Sequence, residues 1–209
     1  LHMLNQEMMH MGSMIEEKIQ KAIEALIGQN RSLAKKIMDG DCEVDREQKK
    51  IENICFNLLM QQQPVARDLR VISAAMKMVT DMERIGDHAA DISEMTVMMS
   101  DTPYVADLED IKKMASETVL MLIRSIEAYV EKDMLKAQSV IDHDDIVDDL
   151  FHKNKQDLIE LIQKNPAVSE QAADMLMVAK YFERIGDHAT NLAENIIFAL
   201  DDKKNTAGN

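Results

Sequence analysis

Apolar residues recur at three- and four-residue intervals through six long stretches of the chain, the spacing that gives a helix one continuous apolar face. Between the stretches stand short turn signals: Asn30 with Ser32, Gln63 with Pro64, Asp101 to Pro103, Asp133, and Asn165 with Pro166. The pattern predicts helices over 3–29, 32–62, 65–100, 105–130, 133–163 and 168–201. Pro64 and Pro166 each suit the first turn of the following helix, where a missing N–H costs nothing. Connections this short place consecutive helices antiparallel.

The pattern also repeats. Glu83-Arg-Ile-Gly-Asp-His-Ala89 recurs without change as Glu183-Arg-Ile-Gly-Asp-His-Ala189, one hundred residues later. Upstream, Asp41-x-x-Val44-Asp45 matches Asp144-x-x-Val147-Asp148, and Ala22-Ile23 matches Ser125-Ile126, with one three-residue length difference near the second turn. The expected fold is therefore all-α: six long helices forming two tandem, pseudo-symmetric three-helix bundles, over 1–101 and 104–203, with a disordered tail at 204–209.

Composition supports that class. Aromatics make up 3% of the 209 residues and there is no Trp, whereas 18 Met join abundant Leu, Ile, Ala, Glu, Lys and Gln as good helix formers. The Met residues, including Met8, Met9, Met76, Met78, Met98 and Met99, read as adaptable core filling. A net charge of −14 without a local basic stripe argues against a nucleic-acid partner. No stretch of about 18 apolar residues is present, so no transmembrane span is expected, nor is a secretory leader. Cys42 and Cys55 lie too far apart along one predicted helix to bridge, and read as reduced packing residues of a cytosolic protein.

On the third predicted helix Glu83, Asp87, Asp91 and Glu94 fall at i, i+4, i+8 and i+11, one narrow stripe at about 100° per residue. Projected backwards, the stripe lies in line with Leu69 and Met76, so the acids are expected to replace core-facing positions. The sixth helix repeats the arrangement with Glu183, Asp187, Asn191 and Glu194, in line with Leu176. Counting outward from the turn near residue 63 sets Asp41 and Asp45 opposite Glu83 and Asp87. The same count around residue 165 sets Asp144 and Asp148 opposite Glu183 and Asp187. Facing helix axes lie about 8 to 10 Å apart, so carboxylates from both helices converge. Like charges so close demand protonation or cations, and all-oxygen donor sets suit Mg²⁺, Mn²⁺, Ca²⁺ and, where carboxylates bridge, iron; zinc is also compatible.

An acidic stripe is ordinarily a solvated face carrying i, i+4 salt bridges. Here it lacks basic partners at that spacing, since Arg84 and Arg184 point about 100° away, and the pattern occurs twice. His88 and His188 point away by the same angle and suit helix packing or the orienting of a carboxylate; His143 and His152 flank the Asp144 pair. Gly86 and Gly186, each about 1 kcal/mol worse than Ala in mid-helix, suggest a close helix approach or room for an ion.

Both ERIGDHA segments, with Gln62-Gln63-Pro64-Val65-Ala66-x-Asp68-Leu69-Arg70 and Met11-Gly12, resemble the PhoU family over essentially the whole length. The resemblance implies two tandem three-helix bundles whose Glu/Asp-x-x-x-Asp motifs hold multinuclear metal clusters, iron foremost, with zinc, manganese or magnesium as other candidates. Those motifs map onto Glu83 with Asp87 and Glu183 with Asp187, and the family's middle-helix pairs onto Asp41 with Asp45 and Asp144 with Asp148. Asn191 stands where the first repeat has Asp91, so the clusters are expected to differ. The resemblance further implies negative control of phosphate uptake and phosphate-starvation signalling. It implies contacts with the phosphate ABC transporter ATPase and the sensor histidine kinase, a cytoplasmic location at the inner face of the membrane, and homodimers. No enzyme activity is implied. The rival class is a ferritin-like di-metal enzyme, whose Glu-x-x-His signature is replaced here by Glu-x-x-x-x-His.

Overall fold

A computed structural model describes residues 1–40, 42–61 and 64–201. Asp41, the turn at Gln63 and the expected tail at 204–209 therefore lie outside the described residues. The elements are α1 (His2–Ile27), α2 (Arg31–Asp39), α3 (Cys42–Gln61), α4 (Ala66–Met99), α5 (Glu109–Glu131), α6 (Met134–Lys164) and α7 (Ser169–Leu200), with a 3-10 turn at Pro166–Val168. No strand occurs among the described residues, and no described helix is long and apolar enough to cross a membrane.

The expected turn residues act as caps. The Asn30 side chain accepts from Leu33 N at 3.0 Å, Asp133 accepts from Leu135 N at 2.9 Å and Lys136 N at 3.0 Å, and Asn165 accepts from Ala167 N at 3.3 Å. α1 and α5, equivalent in the repeat, both end next to a residue in the left-handed region, Gln29 (φ 47°) and Lys132 (φ 57°).

One predicted helix comes apart. The segment expected as a single helix over 32–62 is two, α2 and α3, whereas its counterpart α6 runs unbroken for 31 residues. The difference sits at one position: Gly40 caps α2, its N–H donating to Lys36 O at 3.1 Å, where the second repeat has His143. Glycine gives up about 1 kcal/mol of helix propensity, enough to favour termination there.

α1, α2, α3 and α4 pack as one bundle and α5, α6 and α7 as the other, and the bundles join side by side through α4 with α7 and α1 with α5. At the second seam Gly12 allows close approach, because a Cβ on it would stand 2.1 Å from Ile126 Cδ1. Phe182, Met8, Met11, Ile15, Ile19, Ile72, Met78, Met82 and Ile85 are fully buried. Burying each such side chain is worth about 1.5 to 3 kcal/mol. Met9 and Met98, expected in the core, are instead exposed at 52% and 58%, because both lie on the outer side of their helices. Of the two cysteines expected to pack, Cys55 is buried in the core, whereas Cys42, in the first turn of α3, is exposed; both are free.

Candidate metal centre

Leu69, the residue that was to align the acidic stripe with the core, is 45% exposed, because the first turn of α4 extends past the packed part of the bundle. The residues that fill the core beside the acids are Met82, Ile85, Gly86 and Ala89. Glu83 and Asp87 therefore stand at the margin of the core, half-buried, rather than inside it.

In the first repeat α3 brings Asp45 against this margin. One carboxylate oxygen from each of Asp45, Glu83 and Asp87 lies within 4.8 Å of the others, the one such triad of acids or ligating side chains among the described residues. α3 approaches α4 closely at Gly86, where a Cβ would meet Val44 Cγ1 at 3.2 Å. The stripe was expected to lack basic partners, and this is corrected: Arg84 Nη1 lies 2.9 Å from Asp87 Oδ2 and Arg84 Nε 3.5 Å from Glu83 Oε2. The Cβ directions of these residues diverge as expected, but a guanidinium on a flexible stem sweeps back across that angle. Asp91 turns to His88, whose Nδ1 lies 3.0 Å from Asp91 Oδ2, and Glu94 is exposed.

In the second repeat α6 supplies Asp144 and Asp148 and α7 supplies Glu183 and Asp187. Burial, and then the charges of Asp148, Asp187 and Glu183, push the Asp144 carboxyl up to about 6. The Asp187 carboxyl is also raised, by nearby protein bulk first and then by Glu183 and Asp148, although the residue as a whole is exposed. The four carboxyls thus act on one another electrostatically, but no three of them bring ligand atoms within 4.8 Å of one another as the triad of the first repeat does. The Thr190 hydroxyl holds the Asp144 carboxyl partly down, and the buried Asp144 Oδ1 comes so close to α7 that a Cβ on Gly186 would be 3.0 Å away. Gly186 thus makes room for a carboxylate. Lys180 Nζ lies 2.5 Å from Glu183. Asn191 and Glu194 are exposed, and the Asn191 amide donates to Asp81 Oδ1 at 3.2 Å, across the seam with α4.

The histidines face elsewhere. His143 Nε2 lies 2.5 Å from Glu117 on α5, and His152 Nδ1 lies 2.7 Å from Asp148 O on its own helix. At the α4–α7 seam the rings of His88 and His188 meet with centroids 5.5 Å apart. There His88 stacks on Tyr181 at 5.7 Å, and His188 Nδ1 lies 2.8 Å from Asp81 Oδ1. Burial lowers the His88 imidazole pKa, with Asp91 pulling the other way. Sequence spacing missed Asp81, Lys180 and Tyr181. Setting the repeats side by side, position 80 against 180 and 81 against 181, is the signal that marks them.

The residues present fit a hard cation or a carboxylate-bridged cluster. The donors are all oxygen and they come from two helices in each repeat. A family model described as the PhoU domain matches residues 8–96 and again 111–196. The chain belongs to the PhoU family. The two PhoU-domain matches divide the acidic residues as the repeats do, with Asp45, Glu83 and Asp87 in one and Asp144, Asp148, Glu183 and Asp187 in the other. A phosphate-specific transport system accessory protein PhoU homolog from Clostridium acetobutylicum is 37% identical over 205 residues, 98% of this chain and 94% of that protein. One from Aquifex aeolicus is 34% identical over 179 residues, 86% of this chain and 81% of that protein. The crystal structure of PhoU from Pseudomonas aeruginosa superposes with a TM-score of 0.90 at 26% identity, covering 96% of both chains. The phosphate transport system regulatory protein PhoU from Streptococcus pneumoniae superposes at 0.88 and 25%, covering 95% of this chain and 93% of that one.

Proposed function

We propose that this chain is a metal-binding regulator of phosphate transport, acting as an accessory of a phosphate-specific transport system. The observation that carries the metal reading is the Asp45, Glu83 and Asp87 triad, three carboxylates held within 4.8 Å on two helices. Negative charges at that spacing repel, and beyond the partial relief given by Arg84 a bound cation would stabilise the gathered arrangement. Family membership and the names of the relatives support the transport role. Those names are of accessory and regulatory proteins, and the reading assigns no catalysis.

In this reading Asp45, Glu83 and Asp87 hold one metal group, with Asp41 as a further donor, and Asp144, Asp148, Glu183 and Asp187 hold the other; iron is the first candidate for both. Bound metal would supply positive charge and a cross-link between α3 and α4 in the first repeat and between α6 and α7 in the second. The protein's own residues set the donor positions: Gly86 and Gly186 let the helices close, and Arg84 balances charge on Glu83 and Asp87. Negative modulation then runs through contacts with the phosphate ABC transporter ATPase and its sensor histidine kinase, at the inner face of the membrane.

The test is elemental analysis of protein purified without chelator, beside the Asp87→Ala, Asp187→Ala double variant. Metal in the wild type and its loss in the variant support the assignment; equal metal in both removes it. Pull-down with the transporter ATPase and with the kinase tests the wiring, and failure with both overturns that part.

A further inference from the structure

The seam of α1 with α5 carries none of the residues of the acidic clusters, which come from α3 with α4 and from α6 with α7. An open groove of about 360 Å³ lies on it, with the exposed Met9 of α1 and Ile123, Ile126 and Val130 of α5 in its lining. Gly12 brings no side chain there, so Ile126 lies flat against α1. Glu16, Glu127 and Glu131 join the lining, the last two with about half of each side chain in solvent. Lys136 is the cation that touches these acids, and it divides one charge between Glu127 and Glu131, at 3.1 and 2.8 Å. Glu16 accepts from the neutral Gln20 amide at 3.1 Å. Three carboxylates against one ammonium leave a negative edge beside an apolar floor. The other half of the seam does not repeat this. With Ala22 matched to Ser125, Met9 corresponds to Lys112, Gly12 to Ala115 and Glu16 to Val119.

We propose that this groove docks a cationic amphipathic helix of a protein partner, its apolar side seated on Met9, Ile123 and Val130 and its Lys or Arg residues set against Glu16, Glu127 and Glu131. Two helices packed side by side present a channel in which a third can lie, its apolar anchors spaced at i, i+3 and i+4. The sign of the edge selects the partner. Acids favour a basic helix and penalise an acidic one, because like charges set against each other cost affinity. A second copy of the chain fits poorly, since it carries −14 overall and a two-fold contact would bring the same acids face to face. Docking here involves no metal and does not depend on the metal reading.

Fluorescence anisotropy of a labelled four-turn peptide of leucine and lysine in helical period, titrated with the full chain, tests this beside a leucine and glutamate peptide of the same pattern. The lysine peptide is expected to bind, and the glutamate peptide to bind about tenfold more weakly or worse. Met9→Asp separates seating from charge alone, because it makes the groove more negative but less apolar. It is expected to weaken the lysine peptide by about tenfold. Ser13→Trp, at an exposed position of the same lining, fills the groove without changing its charge. It is expected to weaken binding similarly, and it decides the matter if Met9→Asp fails to fold. Met98→Asp, at a comparably exposed methionine outside the groove, is expected to leave binding unchanged. No binding of the lysine peptide, equal binding of the glutamate peptide, unchanged or tighter binding by Met9→Asp, or an equal loss in Met98→Asp overturns the docking site. A dimer in sedimentation that Met9→Asp dissolves puts a second copy in the groove and overturns the partner helix.

Discussion

The two repeats share an identical seven-residue motif and yet reach different solutions around it. In the first, α3 is a separate helix, the acids converge as a triad, and the cation touching them is an arginine 57% exposed to solvent. In the second, α6 is continuous, the acids interact through burial and mutual charge, and a lysine seated on an aromatic ring reaches Glu183. Identical motif residues thus do not make identical sites. What surrounds them at positions 40, 48 and 80, against 143, 151 and 180, makes the difference.

The largest separation between the repeats is expected in their cores. Phe182 and Met82 are equivalent and both fully buried, so truncation leaves a larger void in the second repeat. Phe182→Ala is expected to cost about 3 to 5 kcal/mol and Met82→Ala about 2 to 5, with phenylalanine the costlier of the two. Urea midpoints measure both, and the reverse order would break the comparison at its base.

A smaller effect is expected at the seam. Asp81 and Tyr181 are equivalent positions, but one takes His188 and Asn191 as hydrogen-bond partners while the other stacks on His88. Asp81→Ala removes an acceptor whose side chain is 19% exposed, at an expected cost of about 1 to 2 kcal/mol in urea unfolding. No change in midpoint would mean that the two ends of the seam are energetically alike.

The smallest effect is electrostatic. Asp144 titrates near 6 in the folded chain, against an ordinary value near 3.8. Between these values the native state holds more protons than the unfolded one, so the stability of the metal-free protein falls as pH rises through the window, and the loss is complete above it. Asp144→Asn is expected to flatten that slope and to stabilise the metal-free protein at pH 8 by about 1 kcal/mol, solvent screening the rest of the effect. Thermal melts from pH 4 to 8 check it. A wild type whose stability does not fall across this range would contradict the crowding of the second cluster.

What was legible in the sequence follows the range of the interactions involved. Asn30, Asp133 and Asn165 were readable as turn residues because a capping side chain bonds backbone within three residues of itself. The repeat, the all-helical class and the facing of Asp45 by Glu83 and Asp87 were readable because helical register carries over a whole bundle. Leu69, Met9 and Met98 misled because periodicity gives the face of a helix and not the depth at which the bundle ends. Arg84 and Lys180 were missed because a long side chain ends far from the direction its Cβ takes. The break at Gly40 was missed because one residue decides it, inside a window otherwise of helical period.

The contact of His88 with His188 has a consequence for ancestry and assembly. Had two separate copies of one repeat come together about a two-fold axis, whatever stands at position 81 would face position 88 of the other copy at both ends of the contact. Joining both units in one polypeptide lifts that constraint, so an aspartate can serve one imidazole while a tyrosine serves its twin. Fusion here permits a division of labour that symmetric pairing forbids.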